Sequence, residues 1–279
     1  MKLAYQTNTW GGVFGHPAGV TSVKDLLYLA NGSTEEAMRD IAAAGYSGFE
    51  LFEGNLVEYA DREDELRGLM DELNLELVGV YSGANFIFPE ILGEELHKIR
   101  RSAELAAQFG ATHFVVGGGA VRAAGVADQD YALLAHGLDR VAELATGLGL
   151  TPSFHPHLGT CAQTPEQIAR VFDLTAIGFC PDTAHLDAAG GDSAELIRVF
   201  GNRIPYVHLK DYAAGEFLPL GEGELDFDRI LSALQEIGYD GWITVELDAY
   251  AGSKQEAARN SRIFLEGRQE TGTMGGNPA

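Results

Sequence analysis

The chain has 279 residues, of which 46% are hydrophobic, and it carries 19 basic and 41 acidic side chains. This length and composition fit one large α/β domain or two small ones, each with a sizeable core. The net charge of −22 repels phosphate backbones and acidic membrane surfaces, so it argues against nucleic-acid and membrane partners.

The sequence gives little indication of disulfide bonds, a signal peptide or a membrane span. Cys161 and Cys180 are the two cysteines, too few for a disulfide framework. The N-terminus "MKLAYQTNTW" leads straight into a strand pattern, and no apolar run approaches the length of a membrane span. We therefore expect a cytoplasmic protein with a small-molecule ligand, and we leave a homo-oligomer open.

Short apolar runs alternate with longer amphipathic stretches along the chain. In order, the apolar runs are "KLAYQTN", "GFELF", "LELVGVY", "THFVVGG", "LTPSF", "AIGFCPD", "IPYVHLK" and "WITVEL". The first stretch with helical spacing, Ser33 to Gly45, opens with a capping signature and stops at a glycine. A long connection, from about Gly11 to Gly32, precedes this helix and is a candidate lid.

About eight strand-then-helix units in a chain of this length predict a single (β/α)₈ TIM barrel. The rival fold is a doubly wound open sheet, which usually has a G-x-G-x-x-G phosphate loop after its first strand. Here that place holds "NTWGGVFGHPAG", whose glycines do not have this spacing. We therefore predict one barrel domain over residues 1–267, followed by a disordered tail over residues 268–279.

In such a barrel, polar residues at the carboxyl ends of the strands form the active site. The second predicted strand ends near Glu50. The last four end in imidazole, carboxylate and amino groups: His155, His157, Asp182, His185, His208, Lys210, Glu246 and Asp248. Residues two apart on a strand share a face, so His155 and His157 could look into one cavity. The other histidines, His16, His97, His113 and His136, lie elsewhere and are expected to be structural.

Carboxylates and imidazoles on four successive strand ends predict a divalent metal site. Packing such groups together without a cation is costly, because like charges and desolvation both oppose it. Mixed nitrogen and oxygen ligands with open solvent positions suit Mn²⁺, Zn²⁺, Co²⁺ or Fe²⁺ better than Ca²⁺. Mn²⁺ is the first expectation, and Mg²⁺ also stays open.

The motifs of the second half resemble a known family. "HPHLGT", "DTAHLDAAGGD", "HLKD", "PLGEGELDF" and "GWITVELD", in this order, resemble the sugar isomerase/epimerase superfamily of xylose-isomerase-like barrels, and within it the inosose dehydratase and keto-sugar branch. The resemblance implies one divalent ion held from the fifth to the eighth strand, with Asp182, His208 and Glu246 as the last three ligands. The common fifth-strand motif is E-x-H-x-G-T, so aligning "GT" makes His155 the fourth ligand, although His157 stays open.

The resemblance also implies proton abstraction next to a carbonyl, with the metal stabilising an enediolate as a Lewis acid. Glu246 is the expected base, and Lys210 or His185 is the expected acid. Proximity to the cation is expected to lower the pKa of Lys210. The expected substrate contacts are His157, His185, Lys210, Glu50, Asn8 and Trp10, with Trp10 stacking on the sugar.

Three outcomes can follow: elimination of a β-hydroxyl, isomerisation, and epimerisation. Epimerases of the family use two metal-bound glutamates as opposing bases, and His155 replaces one of them, so elimination ranks first and epimerisation last. An unphosphorylated inosose or keto-sugar is preferred, because no phosphate-binding arginine cluster stands out. A three-zinc endonuclease of this barrel type lacks its further ligands here. A non-catalytic sugar-binding barrel is the alternative of another class.

Overall fold

The computed structural model describes residues 2–10 and 27–270, and within them eight parallel strands form one curled sheet. The strands of this sheet are β1 (Lys2–Gln6), β2 (Gly48–Phe52), β3 (Glu76–Ala84), β4 (His113–Gly118), β5 (Thr151–Phe154), β6 (Gly178–Phe179), β7 (Val207–Leu209) and β10 (Trp242–Val245). Two more, β8 (Asp211–Ala213) and β9 (Glu216–Leu218), pair with each other. Each apolar run predicted as a strand overlaps one strand of the large sheet, and β3 extends three residues beyond its run.

The order of the strands closes the sheet into a ring. Neighbours run β6-β5-β4-β3-β2-β1-β10-β7. The two end strands meet through a parallel bridge between Asp182 and His208, and the His208 N–H donates to the Pro181 carbonyl at 2.9 Å. Thr183 Oγ1 extends this seam, because it accepts from the Lys210 N–H at 3.0 Å and donates to the Lys210 carbonyl at 2.6 Å. The predicted (β/α)₈ barrel is confirmed.

Helices return the chain from each strand to the next. They are α1 (Thr34–Ala43), α2 (Glu53–Val57), α3 (Glu63–Leu73), α4 (Pro89–Gln108), α5 (Asp128–Gly147), α6 (Pro165–Phe172), α7 (Thr183–Ala188), α8 (Ser193–Phe200), α9 (Phe227–Glu236) and α10 (Lys254–Glu270), with 3₁₀ turns at Thr7–Trp10 and Gly201–Arg203. Helix α1 begins as predicted, with Ser33 Oγ accepting from the Glu36 N–H at 3.2 Å. It ends just before Gly45, whose φ of +91° is a conformation that glycine adopts without strain.

Apolar side chains pack on both sides of the sheet. The larger cluster joins the strands to the surrounding helices and includes Phe49 of β2 and Ile99 of α4. The smaller cluster is drawn from most of the strands and fills the barrel interior: Ala4, Phe52, Val78, Tyr81, Val115, Cys180, Tyr206 and Trp242, together with Ala30. This apolar interior supports the polar residues at the carboxyl ends of the strands.

Strands β8 and β9 form a hairpin that the sequence did not predict. Its two-residue loop, Ala214 and Gly215, has φ angles of +51° and +90°. The chain beyond the hairpin folds around the buried carboxylate of Asp211. That carboxylate accepts from the backbone N–H groups of Tyr212, Gly221, Gly223 and Leu225. Asp211 therefore fixes the hairpin and the "PLGEGEL" loop against the end of β7.

The C-terminal helix extends into the predicted tail. Helix α10 runs to Glu270, so the expected tail is wrong for residues 268–270. Arg268 stabilises this last turn, because its guanidinium pairs with Asp228 at 2.9 Å and lies over the Phe264 ring at 3.7 Å. Residues 271–279 and most of the predicted lid, residues 11–26, lie outside the described residues. Among the described residues, no helix combines the length and the apolar character that a membrane span needs.

Candidate metal and substrate site

Four side chains that the sequence predicts as metal ligands meet at the carboxyl ends of neighbouring strands. His155 follows β5, Asp182 follows β6, His208 lies in β7, and Glu246 follows β10. All four are buried, and one donor atom of each lies within 4.8 Å of the donor atoms of the others. We call these four residues the mouth cluster. Ring closure between β6 and β7 brings its members into contact.

Local contacts hold part of the Asp182 and His208 side chains and leave another part of each facing the cluster. Asp182 Oδ1 accepts from the His185 N–H at 2.9 Å and so caps α7. His208 Nε2 lies 3.0 Å from Glu50 Oε2, at hydrogen-bond distance. The remaining atoms, Asp182 Oδ2 and His208 Nδ1, belong to the mouth cluster.

The donor atoms that face one another make no hydrogen bond within the described residues. They are His155 Nε2, Asp182 Oδ2, His208 Nδ1 and Glu246 Oε2. His208 Nδ1 is 2.7 Å from Glu246 Oε2, and His155 Nε2 is 3.7 Å from the oxygens of Asp182 and Glu246. These atoms are ion-paired with one another, and Asp182 Oδ2 is also 3.2 Å from Lys210 Nζ, but buried polar atoms that make no hydrogen bond are costly. Two imidazoles and two carboxylates that converge in this way fit a divalent cation, which would satisfy all four.

The charges in the mouth cluster depend on its neighbours as well as on burial. Burial lowers the pKa of His208, but Glu50 and Glu246 outweigh it and raise that pKa to about 10. Burial raises the pKa of Glu246, but Lys210 and His208 hold that pKa well below its ordinary value. Glu246 is therefore a carboxylate at neutral pH, able to accept a proton or to bind a cation.

Lys210 lies beside the mouth cluster and is fully buried. Its Nζ is 3.2 Å from Asp182 Oδ2 and 3.3 Å from Glu246 Oε1, and it donates to Asp248 Oδ2 at 3.1 Å. Burial lowers the pKa of Lys210, but these carboxylates raise it above its ordinary value. The expected lowering is thus absent in the protein alone, because carboxylates surround the amine. Burial raises the pKa of Asp248 to about 6.

His157 and His185 form an imidazole pair next to Lys210. Their ring centroids are 3.7 Å apart, and His185 Nε2 is 3.1 Å from Lys210 Nζ. Burial lowers the pKa of His157 to about 4 and that of His185 well below its ordinary value, so both rings are neutral at neutral pH. His185 Nδ1 is buried and makes no hydrogen bond within the described residues. It is therefore available to a substrate hydroxyl.

The two predicted contacts near the N-terminus lie in different surroundings. Asn8 reaches the mouth cluster, because its Nδ2 donates to Glu246 Oε1 at 3.4 Å. Trp10 is 4% exposed, packs edge-on against Tyr5 and donates its indole N–H to Asp40 of α1 at 2.7 Å. The 3₁₀ turn after β1 thus directs the indole toward α1, and the stacking of Trp10 on a sugar stays a prediction.

Glu50 is buried, and both of its carboxylate oxygens have neighbours. Its side chain is 0% exposed. Oε1 accepts from Gln6 Nε2 at 2.8 Å, and Oε2 faces His208 Nε2. Glu50 therefore contacts a predicted metal ligand, and its contact with substrate stays a prediction.

The remaining histidines do not join the mouth cluster. His97 lies in α4, His113 begins β4, and His136 lies in α5, while His16 falls outside the described residues. The site therefore uses the histidines that the strand-end pattern singled out.

Two aromatic side chains at the open end of the barrel were missed by the sequence analysis. Tyr81 of β3 packs edge-on against His155, with ring centroids 5.4 Å apart, and its hydroxyl fills the space beside Gly117. Phe217 of the hairpin packs edge-on against His185, with ring centroids 4.8 Å apart. Tyr81 could have been found from its place near the end of the third strand, whereas Phe217 depends on the unpredicted hairpin.

Comparisons with known proteins agree with the observed fold. Residues 38–267 match the model of the family described as xylose isomerase-like TIM barrel. The inosose dehydratase of Geobacillus kaustophilus is 28% identical over 249 residues, covering 77% of this chain and 80% of that protein. The inosose dehydratase of Clostridium beijerinckii is 27% identical over 293 residues, covering 92% and 96%. The crystal structure of apo 3-keto-D-glucoside 4-epimerase from E. coli shares the fold, with a TM-score of 0.72 and 20% identity over 96% of this chain and 99% of that chain.

Proposed function

The chain belongs to the xylose isomerase-like TIM barrel family, and from this premise we propose that it is a divalent-metal-dependent enzyme acting on an unphosphorylated inosose or keto-sugar. The favoured reaction is β-elimination that starts with removal of a proton next to a carbonyl. The inosose dehydratases among the relatives support this class of substrate and reaction. Carbohydrate or polyol breakdown is the corresponding metabolic role.

The observation that carries the proposal is the convergence, in the mouth cluster, of four buried donor atoms that make no hydrogen bond within the described residues. His155, Asp182, His208 and Glu246 would hold the ion, and the nitrogen and oxygen donors suit Mn²⁺ first. A bound divalent ion supplies Lewis acidity that stabilises negative charge on a substrate carbonyl oxygen.

Glu246 is the base in this proposal. Its low pKa keeps it ionised at neutral pH. Oε1 is held by Asn8 and by Lys210, at 3.4 and 3.3 Å, so the carboxylate has a fixed direction. Glu246 takes the proton from the carbon next to the carbonyl, and the electron pair of that C–H bond moves toward the carbonyl oxygen.

Lys210 and His185 are the proposed proton donors to the leaving group. In the elimination, the electron pair returns to form the carbon–carbon double bond while the β C–O bond breaks. The leaving hydroxyl takes a proton from Lys210, or through the His185–Lys210 contact, and departs as water. His157, paired with His185, would orient the leaving oxygen.

The fifth strand sets the preference for elimination over epimerisation. His155 stands where the epimerase motif has glutamate, so Glu246 is the one carboxylate of the opposing pair that remains. Isomerisation ranks second and epimerisation third, although the neutral imidazoles of His157 and His185 could act as the second proton acceptor that epimerisation needs.

Charge around the site favours a substrate without phosphate. Lys210 is already matched by Asp182, Glu246 and Asp248. Because these carboxylates already neutralise Lys210, its ammonium group would not attract a phosphate group. The carboxylates of the mouth cluster would repel a phosphate group.

A substrate screen in D₂O with product chromatography tests this function. Metal-loaded enzyme is incubated with inososes, 3-keto-glucosides and ketohexoses, with Glu246→Gln as the control. We expect deuterium exchange at the carbon next to the carbonyl, together with a dehydrated product. Epimers without any dehydrated product would overturn the preference for elimination. Binding of these sugars without exchange would favour the non-catalytic sugar-binding barrel.

A further inference from the structure

Glu50 lies behind the mouth cluster and contacts one of its members directly. We propose that Glu50 is a positioning residue that holds the His208 ring through Nε2, so that Nδ1 is the nitrogen presented to the mouth cluster. This inference rests on the proposed function, because it assigns His208 Nδ1 as the ligand atom. It is distinct from the substrate contact that the sequence suggested for Glu50.

The contact between Glu50 and His208 is short and enclosed. Oε2 lies 3.0 Å from Nε2, and both side chains are 0% exposed. A carboxylate can only accept, so a hydrogen bond across this contact requires the proton to be on Nε2. Nδ1 is then left to face Glu246 and the other donors. An outer carboxylate that fixes the orientation of a ligand histidine also raises its basicity as a ligand.

Glu50 is itself held by its neighbours. Gln6 of β1 donates Nε2–H to Oε1 at 2.8 Å, so both carboxylate oxygens are engaged. The pairing of β2 with β3 shifts register between Phe49 and Glu50, and such irregularities re-aim side chains. A Cβ on Gly79 of β3 would lie 3.1 Å from Oε2, so the glycine leaves room for the carboxylate.

Three variants test the role of Glu50. Glu50→Leu removes the acceptor, and Glu50→Gln keeps an acceptor oxygen but removes the charge. Glu53→Gln is the matched control, since Glu53 is also buried near the end of β2 but bonds to Lys98, Ser82 and Ser102. For each variant, Mn²⁺ affinity is measured by chelator competition. The ring nitrogens of His208 are observed by ¹⁵N–¹H NMR in metal-free and Zn²⁺-loaded protein.

The expected results separate positioning from general stability. In the wild type the proton sits on His208 Nε2 in the Zn²⁺-loaded protein, and its signal is lost or moved in Glu50→Leu. Mn²⁺ affinity falls by about 10- to 100-fold in Glu50→Leu, as for other outer-sphere partners. The Mn²⁺ affinity of Glu50→Gln lies between that of Glu50→Leu and that of the wild type. Glu53→Gln keeps wild-type affinity and His208 signals, although it unfolds at a lower temperature.

Two results would overturn the inference, and they differ from those that would overturn the function. Unchanged Mn²⁺ affinity in Glu50→Leu, or a Zn²⁺-loaded wild type with the His208 proton on Nδ1, would contradict the positioning role and leave the metal-dependent function standing. If the wild type binds no divalent ion, the function and the ligand role of His208 both fall. Metal-free NMR then still shows whether Glu50 holds Nε2–H.

Discussion

Two buried carboxylate clusters lie at the same end of the barrel, and they differ in how completely they are paired. Around Glu53, Lys98 Nζ and the Tyr28 N–H donate to one oxygen, while the hydroxyls of Ser82 and Ser102 donate to the other. In the mouth cluster, one donor atom of each of the four side chains has no hydrogen bond within the described residues.

This difference distinguishes a structural cluster from a functional one. A buried charge whose oxygens are all matched stabilises the fold, here by fastening the segment at Tyr28 and helix α4 to the end of β2. Buried donor atoms that converge without hydrogen bonds raise the free energy of the protein alone, and an ion that binds them lowers it. Burial of a carboxylate is therefore a weaker sign of a site than the absence of its partners.

The largest expected effect comes from Asp182. Asp182→Ala should lose most of the bound metal and reduce proton exchange to background, because it removes a donor and leaves Lys210 with one fewer carboxylate. Asp182→Asn is the control, since its oxygen can still cap α7. Metal analysis, D₂O exchange and far-UV circular dichroism check this. Full metal occupancy in Asp182→Ala would contradict its role as a ligand.

The next effect concerns the base. Glu246→Gln should slow exchange at the substrate carbon by about 10²- to 10⁴-fold, because an amide cannot accept the proton. Much of the metal should remain, since the amide still offers an oxygen. If NMR in D₂O shows exchange at the wild-type rate, the base lies elsewhere, and His185 or His157 becomes the next candidate.

A change at the fifth strand should alter the product and leave the metal in place. His155→Glu restores the glutamate of the common epimerase motif and puts a second carboxylate opposite Glu246. We expect retained metal, slower elimination and a gain of epimerised product, measured by chromatography. An unchanged product ratio would mean that the residue at position 155 does not determine the fate of the intermediate.

A change at Glu53, in the hydrogen-bonded cluster, should affect stability and leave metal binding unchanged. Glu53→Gln should lower the free energy of unfolding by about 2 kcal/mol, because it leaves the mostly buried Lys98 without its carboxylate. Thermal unfolding measures this loss. Metal content and exchange rate should stay at wild-type values. A large loss of metal in this variant would show that the two clusters do not act separately.

A smaller effect should appear as a pH dependence at His113. Burial lowers the pKa of His113 to about 4, and its Nδ1 makes no hydrogen bond within the described residues. In the unfolded chain His113 binds a proton below pH ~6.5, whereas in the folded chain it does so only near pH 4. The free energy of unfolding therefore decreases as the pH falls from ~6.5 to ~4. At pH 6 the loss is about 1 kcal/mol. His113→Gln should remove this part of the slope in denaturant titrations, and an unchanged slope would assign it to other groups.

The sequence predicted the barrel and the cluster for the same reason. Apolar runs of strand length recur between helical stretches, and the residue that ends a parallel strand must lie at one end of the barrel. The polar strand-end residues could therefore be placed at one end of the barrel, and the family resemblance singled out His155, Asp182, His208 and Glu246 among them.

The directions of some side chains depend on local geometry that periodicity does not encode. Trp10 ends a 3₁₀ turn that directs it toward α1, and the pairing of β2 with β3 skips Val78 just before Glu50. The hairpin that carries Phe217 turns at Ala214 and Gly215, both with positive φ. Such turns are usually signalled by Asn-Gly or Asp-Gly, so alanine at the first position concealed it.

The central claim is that an ion, which the reaction requires, binds the four donor atoms of the mouth cluster that make no hydrogen bond within the described residues. The most direct test is to measure metal content and D₂O exchange on the same wild-type protein before chelation, after chelation and after adding back Mn²⁺. We predict about one ion per chain before chelation. Removal of the ion should abolish deuterium exchange, and adding back about one Mn²⁺ per chain should restore both the bound ion and the exchange. Full exchange activity in protein that retains no divalent ion would contradict the claim.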